Sequence, residues 1–213
     1  MHTAFLPILA LFPLTDGTIS VAMPLLVLMV AVSAVAFFRR AVMDACLLWP
    51  VDIVGRGAVH RLVTYAFVHG DIGHLLFNAF SYASIAFTLN EVLGARDFSI
   101  VYFGSLILGA IPPVVRHRRD PAYRALGASG AISGLFFCGM LFFPQGKVYL
   151  FLLPVGIPYP LFGVLFLAAS MVGAKRNLGN IGHDVHLYGA IAGLLLTVLL
   201  RPDALRHFIA WLS

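Results

Sequence analysis

The chain has 213 residues, 61% of them hydrophobic and 11% charged. A soluble domain carries about 25% charged residues, so this composition excludes an ordinary water-solvated globule and makes lipid the main solvent. The formal charge of +5 suggests no nucleic-acid partner, because the basic residues form no stretch interleaved with aromatics; in short loops, Lys and Arg meet headgroups and set topology.

Residues 1–18 hold an apolar patch with no preceding Lys or Arg. They read as a retained N-terminal segment rather than a cleaved signal, which needs a basic start. About 20 apolar residues span a bilayer core, and six such spans can be placed. The first covers residues 19–38 and ends at Arg39-Arg40. The long loop after it is rich in Leu and Val, contains Trp49, and is expected at the membrane interface. The second span covers 71–94, and the third 98–115 with Pro112-Pro113 near its end; the fourth covers 128–144. Between the third and fourth lies a basic loop with Arg116, Arg118, Arg119 and Arg124. Residues 148–173 are long for one span and short for two. Pro154, Pro158 and Pro160 break their first third, so a non-helical entry and one helix from about Pro160 to Gly173 are expected. The sixth span covers 183–200, and an amphipathic tail occupies 201–213. The expected fold is an all-α membrane protein, one six-transmembrane-helix bundle over residues 19–200.

Polar groups inside such spans are costly and are functional candidates. Three clusters stand out: His69, His74 and Asn78 in FVHGDIGHLLFN, Ser129 in LGASGAISG, and His183 and His186 in IGHDVHLYGAIAG. Each opens an even-numbered span, so all three lie at one depth on one membrane face. Gly130 and Gly134 beside Ser129, and Gly189 and Gly193 after His186, form two GxxxG stretches that let helices approach closely. Packing through those faces places Ser129 near His186. A serine hydroxyl needs a base, and a histidine suits that work near neutral pH. Unpaired N–H groups at the helix start beside Ser129 favour an oxyanion. His74 and Asn78, spaced i, i+4, offer side-chain donors. Asp184 is turned around its helix from His186, so a dyad is expected rather than a triad. Cys46 and Cys138 show no metal spacing.

With these motifs in order, RLVTYAFVHGDIGHLLFN, GASG and HLYGAIAG, the sequence resembles the rhomboid intramembrane serine proteases over roughly residues 61–200. The resemblance implies Ser129 as nucleophile and His186 as base. It implies an oxyanion site of His74, Asn78 and the Ser129 N–H, lined also by Gly127, with His69 a structural or hydrogen-bonding residue near it. It implies single-span membrane-protein substrates, no cofactor or metal, a bacterial inner (plasma) membrane location, and a gate formed by the fifth helix and the loop before His183. Three departures are visible. Tyr188 stands where many relatives carry glycine, which narrows contact between the fourth and sixth helices. Ser133 stands where some relatives carry a tyrosine that stacks on the histidine. The first loop lacks an evident Trp-Arg pair. The alternatives are a catalytically silent relative that binds membrane helices, and a metal enzyme built on His69, His74, His183 and His186. By the positive-inside rule, the ten basic residues facing the clusters (Arg39, Arg40, Arg56, Arg61, Arg116, Arg118, Arg119, Arg124, Lys175, Arg176) against four opposite (Arg96, Lys147, Arg201, Arg206) place the clusters on the cytoplasmic side. Bacterial relatives place theirs outside.

Overall fold

The computed structural model describes residues 20–149, 155–176 and 183–213, the side chains of 149, 172–176 and 183 excepted. The N-terminal segment and the loop before His183 lie outside the described residues, as does the side chain of His183.

Helix α1 (Ala22–Phe38) leads into three short helices, α2 (Arg40–Cys46), α3 (Pro50–Arg56) and α4 (Arg61–Thr64), and a 3-10 turn at Tyr65–Phe67. The long first loop is therefore folded rather than irregular. Arg61 organises it. Its Nε donates to Asp52 at 2.8 Å, and Nη1 donates to the carbonyls of Asp44 and Leu47. Both charged side chains are buried, a placement that needs such pairing.

Helix α5 (Ile72–Arg116) runs 45 residues without a loop, where two separate spans with a linker were expected. Gly94, at φ 75 and ψ 166, is its one non-helical residue. The rings of Tyr82 and Tyr102 nevertheless lie 5.8 Å apart. Twenty residues along a straight helix would separate them by about 30 Å. Residues 72–93 and 95–116 are thus two arms of a hairpin folded at Gly94, a glycine because side chains rarely adopt that backbone conformation.

Helix α6 (Ser129–Phe142) is the most enclosed helix, with α5 and α8 (His183–Leu200) packed along it. A Cβ on Gly189 would fall against the Gly130 carbonyl, and one on Gly193 against the Gly134 backbone. Both GxxxG stretches therefore make direct backbone contact, the arrangement small residues permit in membranes. Tyr188 is 37% exposed and points out of that contact. It does not narrow it, because the glycines occupy the facing stripe.

Between α6 and α7 (Tyr159–Arg176) lies a small antiparallel hairpin, β1 (Lys147–Tyr149) and β2 (Gly156–Pro158), with Val148 opposite Ile157. The non-helical entry is thus partly strand, and α7 runs past Gly173. The chain ends in α9 (Pro202–Leu212), bent 105° from α8. Arg201 breaks the helix ahead of Pro202, since a residue preceding proline avoids the helical region.

Ile72–Arg116 is long and apolar enough by itself to cross a membrane, while Ala22–Phe38, Ser129–Phe142 and Tyr159–Met171 are apolar but shorter. Large apolar side chains are exposed along α1, both arms of α5, α7 and α8, including Val27, Phe77, Leu108, Val164 and Leu195, while α6 is enclosed. Such a surface suits lipid.

Candidate active site

Three helix starts and one tight turn converge on a cavity of about 980 Å³ whose lining includes His74, Asn78, Gly127, Ser129 and His186. Asp71 begins α5: its Oδ1 accepts the His74 backbone N–H at 2.8 Å, an N-cap that fixes the first turn. His74 and Asn78 then share one face of that helix. Leu48 and Ala125 exchange backbone hydrogen bonds, and the Gly127 N–H donates to the Tyr65 carbonyl at 2.8 Å. These bonds hold the segment leading into α6. Gly127 has φ 99, and a Cβ there would lie 2.9 Å from Nε2 of His74 and 3.1 Å from Nδ2 of Asn78. Only glycine lets the backbone pass this close to both side chains.

Ser129 is the first residue of α6, so its N–H has no partner within the helix. Its Oγ lies 2.5 Å from Nε2 of His186. With Nε2 unprotonated, the hydroxyl donates to the imidazole. The buried amide nitrogen of Asn78 has no hydrogen-bond partner among the described residues. A donor left unpaired in a closed site is costly, and it is available to an incoming anion.

His69 does not line the cavity. It is fully buried behind His74, ring centroids 5.0 Å apart and edge-on. The Ser33 hydroxyl donates to the Phe67 carbonyl at 2.9 Å, so in its 2.8 Å contact with His69 the imidazole Nδ1–H donates to Ser33 Oγ. Burial, and then the neighbouring His74, push this imidazole down to about 3. A neutral His69 is thus a buttress for His74.

Phe166 of α7 was not singled out from the sequence. It approaches the His186 ring at 6.3 Å. The Ser133 hydroxyl donates back to the Ser129 carbonyl at 2.7 Å. Trp49, with no arginine beside it in sequence, lies under the guanidinium of Arg124 at 3.8 Å and 6.0 Å from that of Arg61. A Trp-Arg contact therefore exists in space across two loops, where no spacing rule reveals it. Among the described residues, no group of three or more His, Cys, Asp or Glu could hold a metal ion.

The helices and cavity define a class, a helical bundle with an apolar exterior and a serine–histidine pair at the start of two glycine-packed helices. The rhomboid domain model matches residues 56–203, and the chain belongs to the rhomboid family, whose members are integral membrane proteins. It is 35% identical to the putative rhomboid protease YdcA of Bacillus subtilis over 68% of this chain and 69% of that one. It is 32% identical to rhomboid protein 1, mitochondrial, of Saccharomyces cerevisiae over 63% of this chain and 40% of that one. It is 25% identical to RHOMBOID-like protein 12, mitochondrial, of Arabidopsis thaliana, spanning 51% of it.

Proposed function

We propose that this protein is an intramembrane serine endopeptidase that cleaves single-span membrane proteins with a Ser129–His186 dyad. The observation that carries this reading is the 2.5 Å contact between Ser129 Oγ and His186 Nε2 inside a cavity flanked by the unpaired Asn78 amide. Ser129 Oγ attacks the scissile carbonyl carbon as its proton passes to Nε2. The resulting oxyanion is held by the Ser129 N–H, Asn78 Nδ2 and His74. His186 returns the proton to the leaving amine as the C–N bond breaks, leaving an acyl-enzyme. Water, deprotonated by His186, then releases the acid and restores the serine.

The bundle is read as six spans: α1, the two arms of α5, α6, α7 and α8. In this arrangement all catalytic groups sit at one depth on one face. A bacterial inner membrane is the proposed location. Substrate segments would reach Ser129 from lipid past α7, whose Phe166 stands beside His186.

The test is cleavage of a panel of single-span substrates by the reconstituted chain. Ser129→Ala and His186→Ala should each lower kcat by at least about 10³-fold, and a chelator should change nothing. A fluorophosphonate should label Ser129 in the wild type only. A folded wild type that neither cuts nor takes the label would establish a silent helix-binding relative instead.

A further inference from the structure

Asp184 stands two residues before the proposed base, and its carboxylate is engaged away from it. Oδ1 accepts the Tyr123 hydroxyl at 3.1 Å and the backbone N–H of Val185 at 3.0 Å. Oδ2 lies 3.9 Å from Nε2 of His117. The His117 ring stacks flat on Tyr123, centroids 4.0 Å apart and planes within 13°, while its Nδ1 sits 3.5 Å from Asp120 Oδ2. Asp184 is 8% exposed, and these are the hydrogen-bond and ion-pair partners of its carboxylate among the described residues. The carboxylate also occupies the first turn of α8, where the helix dipole favours it.

The next residue makes the arrangement directional. Val185 is buried, and its carbonyl and side chain press on Gly109 of α5 and Gly130 of α6. The start of α8 is therefore keyed to three segments at once, with His186 the following residue. One residue of helix carries a 1.5 Å rise and a 100° rotation. A slip much smaller than that takes Nε2 out of reach of Ser129 Oγ. Tyr123 itself lines the cavity, so the latch forms part of the wall of the site rather than a distant brace.

We propose that Asp184, held by Tyr123 and His117, is a positioning residue for His186 that sets the depth and rotation at which α8 presents its imidazole to Ser129. The inference rests on the reading of His186 as base. It links the basic loop between the third and fourth spans to catalysis through a hydrogen bond.

The experiment uses the reconstituted full chain as wild type, Asp184→Ala, Asp184→Asn, Tyr123→Phe and the double variant Asp184→Ala/Tyr123→Phe. It reads kcat and KM on one single-span substrate, and the rate and final extent of fluorophosphonate labelling at Ser129. Asp184→Ala should lower both kcat and the labelling rate by about 10–100-fold, the scale of a misplaced catalytic group, with KM and final labelling unchanged. Asp184→Asn should restore most of the rate, since an amide oxygen accepts the same two bonds. The double variant should be no slower than Asp184→Ala, because both changes break one bond. Wild-type labelling rates in Asp184→Ala, an Asn variant as slow as Ala, or single effects that multiply in the double would each overturn the proposal. If Asp184→Ala does not fold, Tyr123→Phe, which removes one hydroxyl, carries the same test. A wild type that takes no label at all would strike the catalytic reading instead.

Discussion

Asn78 and His69 are both buried and each has one nitrogen without a partner, yet the two play different parts. The Asn78 amide sits against Gly127 on the cavity wall. Replacing it with alanine should lower kcat by about 10²–10³-fold, the effect of losing one oxyanion donor, and leave KM nearly unchanged in steady-state cleavage assays. His69 is behind that wall. Its imidazole is held down to about 3, first by burial and then by His74, while an unfolded histidine titrates near 6.5. The folded state therefore binds fewer protons between these values. Its stability contribution is fully present above about pH 6.5 and falls as pH drops toward 3, with a limiting slope of about 1.4 kcal/mol per pH unit. Equilibrium unfolding in mild detergent between pH 6.5 and 4 should show this slope, and His69→Gln should flatten it.

At the scale of elements, two glycine devices decide the geometry. Gly94 closes the α5 hairpin at φ 75, so Gly94→Ala should destabilise by about 1–3 kcal/mol through backbone strain. Gly55, which has open space around its Cβ position inside α3, provides the contrast: alanine there should be neutral or slightly stabilising, since alanine is the better helix former. Gly189 faces the Gly130 backbone directly. Gly189→Val should force α6 and α8 apart, lowering the unfolding temperature and abolishing fluorophosphonate labelling together. The GxxxG spacings were legible because small residues four apart make a stripe on any helix. The Gly94 hairpin was legible only as a boundary between spans. That the turn needs a single non-helical residue depends on how Tyr82 and Tyr102 pack across the arms.

For the whole molecule, the first loop acts as a clamp on the site. Arg61 joins α2, α3 and the turn at Leu47, and Trp49 receives Arg124 from the loop before α6. The paired backbone bonds between Leu48 and Ala125 tie that clamp to the segment that carries Gly127 and Ser129. Arg61→Met leaves Asp52 buried without its principal partner and should cost about 3–5 kcal/mol, read as a lower unfolding temperature in detergent. Because the loop was expected only to lie along the interface, this coupling was invisible in advance. It depends on residues 44–61 meeting residues 124 and 125, and no periodicity within either stretch encodes that meeting.

The sequence by itself singled out the polar residues that stand at the starts of apolar stretches. Ser129, His186, His74 and Asn78 became candidates in that way, because a polar group in an apolar span is expensive. The N-cap at Asp71 and the break at Arg201-Pro202 follow from local backbone chemistry. Only the tertiary structure decided which polar neighbours face the cavity. His69 was grouped with His74 by spacing, yet the entry into α5 turns it toward Ser33. Asp184 was legible as pointing away from His186, but not as the partner of Tyr123 and His117, some sixty residues earlier in the chain. Helical period is a short-range property, whereas these contacts arise where three helices and two loops are packed together, and that packing depends on the fit of all their side chains at once.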